Sequence, residues 1–114
     1  MSRTFSIDEA RSLLPEVRAR VDELTELRLA VADASDGPLA ERKAAEARLA
    51  EGIEWFVAEG VQMRSLAPVV LDFPGAVDGE PALLCWLEGE DDLAWYHRPE
   101  HGFMGRRPLP PSAR

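Results

Sequence analysis

Residues able to do chemistry crowd into one stretch of this chain. Between Leu71 and Arg107 fall the only Cys (Cys85), both His (His97, His101), the only Tyr (Tyr96) and two of the three Trp (Trp86, Trp95). The same stretch carries Asp72, then the acidic group Glu88, Glu90, Asp91 and Asp92, then Arg106 and Arg107. His97 is the strongest single candidate. An unperturbed imidazole titrates at about pH 6.5, so it serves as base, acid or metal ligand. Asp72, Glu90, His97 and Arg106 form the candidate polar site.

Glu88, Glu90, His97 and His101 together make a mixed oxygen and nitrogen set. Zinc or a harder divalent ion accepts such ligands, so a divalent metal is the candidate cofactor. The spacing is not diagnostic. There is no HExxH motif, no CxxC pair and no Glu-x-x-His on a helix. A solvated acidic hairpin loop is the plain alternative. Arg106 and Arg107 can hold a carboxylate or phosphate through two parallel bonds. The preferred reading pairs Arg106 with Asp72 or Glu90 inside the fold. Cys85 has apolar neighbours and reads as a small buried hydrophobe, not a nucleophile. Trp86, Trp95 and Tyr96 read as core or interface residues. No phosphate loop, dinucleotide fingerprint or Ser/His/Asp ordering is present.

The rest of the chain must position that stretch. Its 114 residues suit one domain, with 1–60 a helical hairpin, 61–107 a β-meander and 108–114 an extended tail. Hydrophobic content of 46% and charged content of 30% are globular values. The net charge is −8, and neither half is basic, so no nucleic-acid partner is expected. A single Cys excludes an internal disulfide framework. No signal segment and no membrane-length apolar run is visible, which makes the cytoplasm the default compartment.

Ser6-Ile7-Asp8-Glu9 fits a capping box. Pro15 predicts a short helix near 7–13, a break at Leu14, and a long helix from Pro15 to about Ala34. Ala10, Leu14, Val17, Val21, Leu24 and Val31 form its apolar stripe. Ser35-Asp36-Gly37-Pro38 stops it, with Asp36 or Gly37 as the next cap. A second helix runs from about Pro38 to Glu59, with Gly60 ending it. The period then shortens. Val61–Arg64, Val69–Phe73, Ala82–Leu87 and Leu93–His97 read as strands, the second ended by Pro74-Gly75. A five-residue loop at Glu88–Asp92 predicts the pairs Leu87–Leu93, Cys85–Trp95 and Leu83–His97 on one face. Leu84, Trp86 and Tyr96 then share the other.

These residues carry a resemblance. Phe5-Ser6-Ile7-Asp8-Glu9-Ala10 with Leu14-Pro15 resembles the opening of the prokaryotic family called domain of unknown function 2203. Asp72-Phe73-Pro74, Leu84-Cys85-Trp86-x-x-Gly89-Glu90, His97 and Gly102-Phe103-x-Gly105-Arg106 follow in that family's order. Two places depart: Val69-Val70-Leu71 where the family has Gly-Leu-Val, and Tyr96-His97-Arg98 where it has Trp-His-Glu. The resemblance implies no established activity.

The expected fold is α+β, an N-terminal antiparallel helical hairpin followed by a small antiparallel β-meander. Two functions fit. One is a non-catalytic interaction or regulatory module, a homo-oligomer or the binder of a protein partner through the hairpin or the aromatic sheet face. The other is a small-ligand or metal-binding protein or enzyme built around Asp72, Glu90, His97 and Arg106. No membrane partner is expected.

Overall fold

The computed structural model describes residues 3–110. Two helices, α1 (Ile7–Asp33) and α2 (Leu39–Glu59), precede β1 (Gln62–Leu66), β2 (Val69–Val77), β3 (Glu80–Leu87), β4 (Trp95–His97) and β5 (Arg107–Pro108). The strands form one antiparallel sheet in the order β1-β2-β3-β4-β5. The architecture is α+β, a helical hairpin followed by a meander. Among the described residues, no helix is long and apolar enough to cross a membrane.

The capping box closes as the sequence requires. The Ser6 hydroxyl accepts from the Glu9 N–H at 3.0 Å, and the Glu9 carboxylate accepts from the Ser6 N–H at 2.8 Å. The break expected at Leu14 is absent, because α1 runs unbroken through Pro15. A helix-interior Pro costs about 3 kcal/mol. Ala10 and Leu14 before it, and Val17, Val21 and Leu24 after it, are all buried on one stripe. Each large apolar side chain contributes about 1.5–3 kcal/mol on burial, so the stripe outweighs the lost bond. At the other end of the hairpin, Pro38 itself is the N-cap of α2 and makes no side-chain cap. Gly60, at φ 82°, ends α2 in the left-handed conformation.

The sheet has two different faces. Leu71, Phe73, Leu84, Trp86 and Tyr96 join Ala10, Leu14, Val17 and Val21 of α1 in the apolar core. Asp72, Cys85 and His97 alternate with them and point away from the helices. The pairs Leu83–His97 and Cys85–Trp95 form as the five-residue loop predicts. The pair Leu87–Leu93 does not, since β4 starts only at Trp95. Leu93 lies in the helix-side core instead, with its N–H bound by Asp92 and its carbonyl by Arg11.

Two Pro-based boundaries also move. β2 continues through Pro74-Gly75 to Val77 and turns at Asp78-Gly79, both with positive φ. This is a two-residue hairpin of the Asp-Gly kind. Pro74 is tolerated because of where it faces. Its carbonyl accepts from the Phe5 N–H at 2.7 Å. Its nitrogen faces that same edge, so the ladder to β3 loses no donor. The segment expected as a loose tail from 108 also begins in order. Pro108 pairs with Trp95, Leu109 is buried, and the Leu109 N–H bonds the Ala94 carbonyl at 2.8 Å. Positions 111–114 of that expected tail lie outside the described residues.

Phe5 fastens the helix entry to the sheet. It is buried, meets Phe73 edge-to-face at 5.4 Å, and bridges Gly75. A Cβ at Gly75 would stand 2.5 Å from the Phe5 carbonyl oxygen. We therefore expect Gly75→Ala to push Phe5 from its seat and destabilise the protein by about 2 kcal/mol. Urea denaturation measures this, and Ala76→Gly on the exposed neighbour should fall well below it.

Candidate functional site

Asp72 and His97 are the two buried polar or charged residues among those described. A carboxylate held away from water needs partners. Asp72 has them on every side. His97 Nε2 lies 3.1 Å from each carboxylate oxygen. Arg64 Nε donates to Oδ2 at 2.9 Å. Arg64 is the extra residue in a β1 bulge between Met63 and Ser65. Bulges re-aim side chains in this way. The Cys85 thiol, directly opposite Asp72 across the β2–β3 ladder, is a further partner.

The other ring nitrogen of His97, Nδ1, is 2.9 Å from the Arg98 carbonyl. A carbonyl oxygen only accepts, so Nδ1 carries a proton. The contact between Nε2 and Asp72 then needs one more proton, held on the ring or on the carboxyl. No buried side-chain nitrogen or oxygen among the described residues is left without a partner.

Glu90 and Arg106 form a second pair. Two parallel bonds of 3.1 and 3.0 Å join them, the geometry that makes Arg–carboxylate pairs strong. The Arg106 guanidinium also stacks on Trp95 at 4.8 Å and Phe103 at 4.5 Å. Burial works against its charge, but hydrogen bonds to Glu90 and to Cys85 outweigh it and raise its pKa. Cys85 thus stands between the two pairs. A continuous polar row crosses the outer face of the sheet: Arg64, Asp72 with His97, Cys85, Arg106, Glu90. Burial, reinforced by the charge of Asp72, pushes the thiol pKa up to about 12, although Arg106 pulls it down.

A cavity of about 340 Å³ opens over the first part of this row. Arg64, Asp72 and His97 line it, with Leu83 beneath and His101 and Phe103 from the covering segment. Three larger depressions, of about 530, 520 and 400 Å³, lie along α1, at the foot of α2 and beside the first turns of α1. None of them contains a buried polar side chain.

The four residues Asp72, Glu90, His97 and Arg106 therefore meet on one face, as two pairs joined through Cys85. The metal set read from the sequence does not assemble. Glu88 accepts from the Val69 N–H at 2.8 Å, Glu90 holds Arg106 and the Leu87 N–H, and His101 is exposed on the covering segment. Asp72, Cys85 and His97 are the group of metal-ligating side chains that converges among the described residues. Cys85 and Arg64 were absent from the candidate set. The signal for Cys85 was its place on the strand face shared with His97. Nothing in the sequence announced the bulge that turns Arg64 inward. Arg98, standing where the family pattern has Glu, donates to the carbonyls of Val77, Glu80 and Pro81 and clamps the β2–β3 turn.

A family model described as "Uncharacterized conserved protein (DUF2203)" matches residues 3–109. The chain belongs to that family. No curated protein and no solved structure is matched.

The raised thiol predicts a protected cysteine. At about pH 8 iodoacetamide should modify native Cys85 no faster than the protein opens, and promptly in concentrated urea. The sign with pH follows from the same shift. Below the ordinary value of 9.0 both folded and unfolded thiols are protonated. Between 9.0 and about 12 the unfolded thiol loses its proton first, so Cys85 lowers native stability as pH rises. Mass spectrometry of alkylated protein checks the first statement, and urea midpoints of wild type and Cys85→Ala across that range check the second.

Proposed function

We propose that this chain is a small-ligand-binding protein whose site is the cavity over Asp72 and His97. The observation that supports it is a coincidence of burial and space. The two buried polar residues among those described both line one cavity, while the larger depressions have none. A cavity of about 340 Å³ lies at the small end of the range for organic ligands, roughly 300–1,000 Å³. Val70, Leu83 and Phe103 give it apolar wall, and Arg64 and His101 give it donors. That lining suits a compact molecule with one carboxylate and a short apolar part.

Methyl-resolved NMR with acetate, propionate, imidazole and phenol as probes tests this reading. Shifts should concentrate on the methyls of Val70 and Leu83. Gly102 lines the cavity, and a Cβ there meets nothing within 4 Å. Gly102→Trp should therefore fill the space without disturbing the fold and abolish those shifts. Scattered shifts, or shifts that survive Gly102→Trp, would overturn the reading.

A self-associating interaction module is the second reading. Its support is the exposure of Leu29, Leu39 and Val57 on the hairpin, each near 60%. Sedimentation equilibrium should then show a dimer that Leu29→Glu dissolves. A monomer at the highest concentration used for NMR would end this reading.

A further inference from the structure

The geometry points to a transition-metal site at Asp72, Cys85 and His97, suited to zinc or another borderline-soft divalent ion. One ligating atom from each residue lies within 4.8 Å of the other two, and all three residues are buried. Adjacent strands β2, β3 and β4 supply them, so the set stands on paired backbone and not on loops. It shares only His97 with the set read from the sequence.

The convergence of the three side chains carries the argument, and the orientation of His97 supports it. The Arg98 carbonyl fixes the proton on Nδ1, which leaves the Nε2 lone pair aimed at the Asp72 carboxylate. Two electron-rich groups facing each other require a cation, either a proton or a metal ion. Metal-binding His side chains almost always donate their second N–H to a carbonyl or carboxylate, as His97 does here. Ligand atoms around a tetrahedral zinc ion with bonds of about 2.0–2.1 Å sit about 3.3 Å apart. The 3.1 Å between Nε2 and each Asp72 oxygen is already close to that spacing. Arg64 on Asp72 and Arg106 on Cys85 hold the other two ligands.

The exchange balances in charge. The unloaded cluster holds one proton on the thiol and one between Nε2 and Asp72. A divalent ion releases both and binds a thiolate, a carboxylate and a neutral imidazole. Net charge at the cluster is unchanged, so neither Arg64 nor Arg106 faces a new excess of positive charge. Thiolate and imidazole select zinc, cobalt(II) or iron(II) over magnesium and calcium. Asp72 and His97 line the cavity, so the ion enters from that side, and water or a ligand carboxylate completes its coordination. The inference rests on the same cavity as the ligand-binding reading and gives that cavity a Lewis-acidic floor.

Cobalt(II) titration of chelator-treated full-length protein tests it. One equivalent should bind and produce thiolate-to-cobalt charge-transfer absorption, with release of two protons in weak buffer. Zinc should displace cobalt and raise the melting temperature. Cys85→Ser should abolish the charge-transfer band, and His97→Gln should weaken zinc binding at least about tenfold. Circular dichroism first establishes that each variant folds, and Cys85→Ala replaces Cys85→Ser where it does not. A wild-type protein without the band, or Cys85 and His97 variants with unchanged affinity, would overturn the metal site. Gly102→Trp touches no proposed ligand but narrows the entry, so the band should appear more slowly and reach its full amplitude. Probe binding without the band removes the metal site alone, and the band without probe binding removes the organic-ligand reading alone.

Discussion

One buried carboxylate constrains this sheet more than any other group. Asp72 is 1% exposed. Removing an ionised carboxylate from water costs several kcal/mol unless its partners are close and well aimed. Each partner comes from a different strand. Arg64 reaches it only through a bulge in β1, Cys85 stands opposite it in β3, and His97 approaches from β4. A one-residue slip in any of these pairings would turn a partner to the helix side, among Leu71, Phe73 and Leu84. The register of four strands is therefore tied to one side chain.

The two faces of the sheet solve different problems. The helix face is uniformly apolar, and α1 covers it with a stripe that tolerates even an internal Pro. The outer face carries the polar row, in which Asp72 and His97 are buried. Residues 99–106 lie over it, and Arg106 secures that segment. Its planar fork takes both oxygens of Glu90 while its faces meet Trp95 and Phe103. Lysine offers neither the fork nor the stacking surface. Glu90 in turn binds the Leu87 N–H, so the segment is fastened to the backbone at the end of β3.

Local chemistry made much of this legible in the sequence. The capping box at Ser6, the helix end at Gly60 and the pairing of Cys85 with Trp95 depend on near neighbours, and the structure holds them as expected. The misreadings share one cause, which is tertiary context. Pro15 and Pro74 look like breaks until the burial around Leu14 and the edge facing Phe5 are known. Leu93 changes face because Asp92 and Arg11 hold its backbone. The metal set read from the sequence does not converge for a similar reason. Glu88 and Glu90 are near His97 in sequence, yet backbone amides and Arg106 occupy their carboxylates. Asp72 and Cys85 are thirteen positions apart but directly opposed in the sheet.

Replacing a buried ion pair by well-packed apolar residues is often neutral or stabilising, so what the polar row supplies to the sheet is register and not net stability. The cavity lies against Asp72 and His97, where the carboxylate and the imidazole already face each other. The Arg98 carbonyl holds the imidazole in one tautomer and leaves Nε2 facing the Asp72 carboxylate. An oriented imidazole and a buried carboxylate face the cavity, and the thiol stands directly behind them in β3.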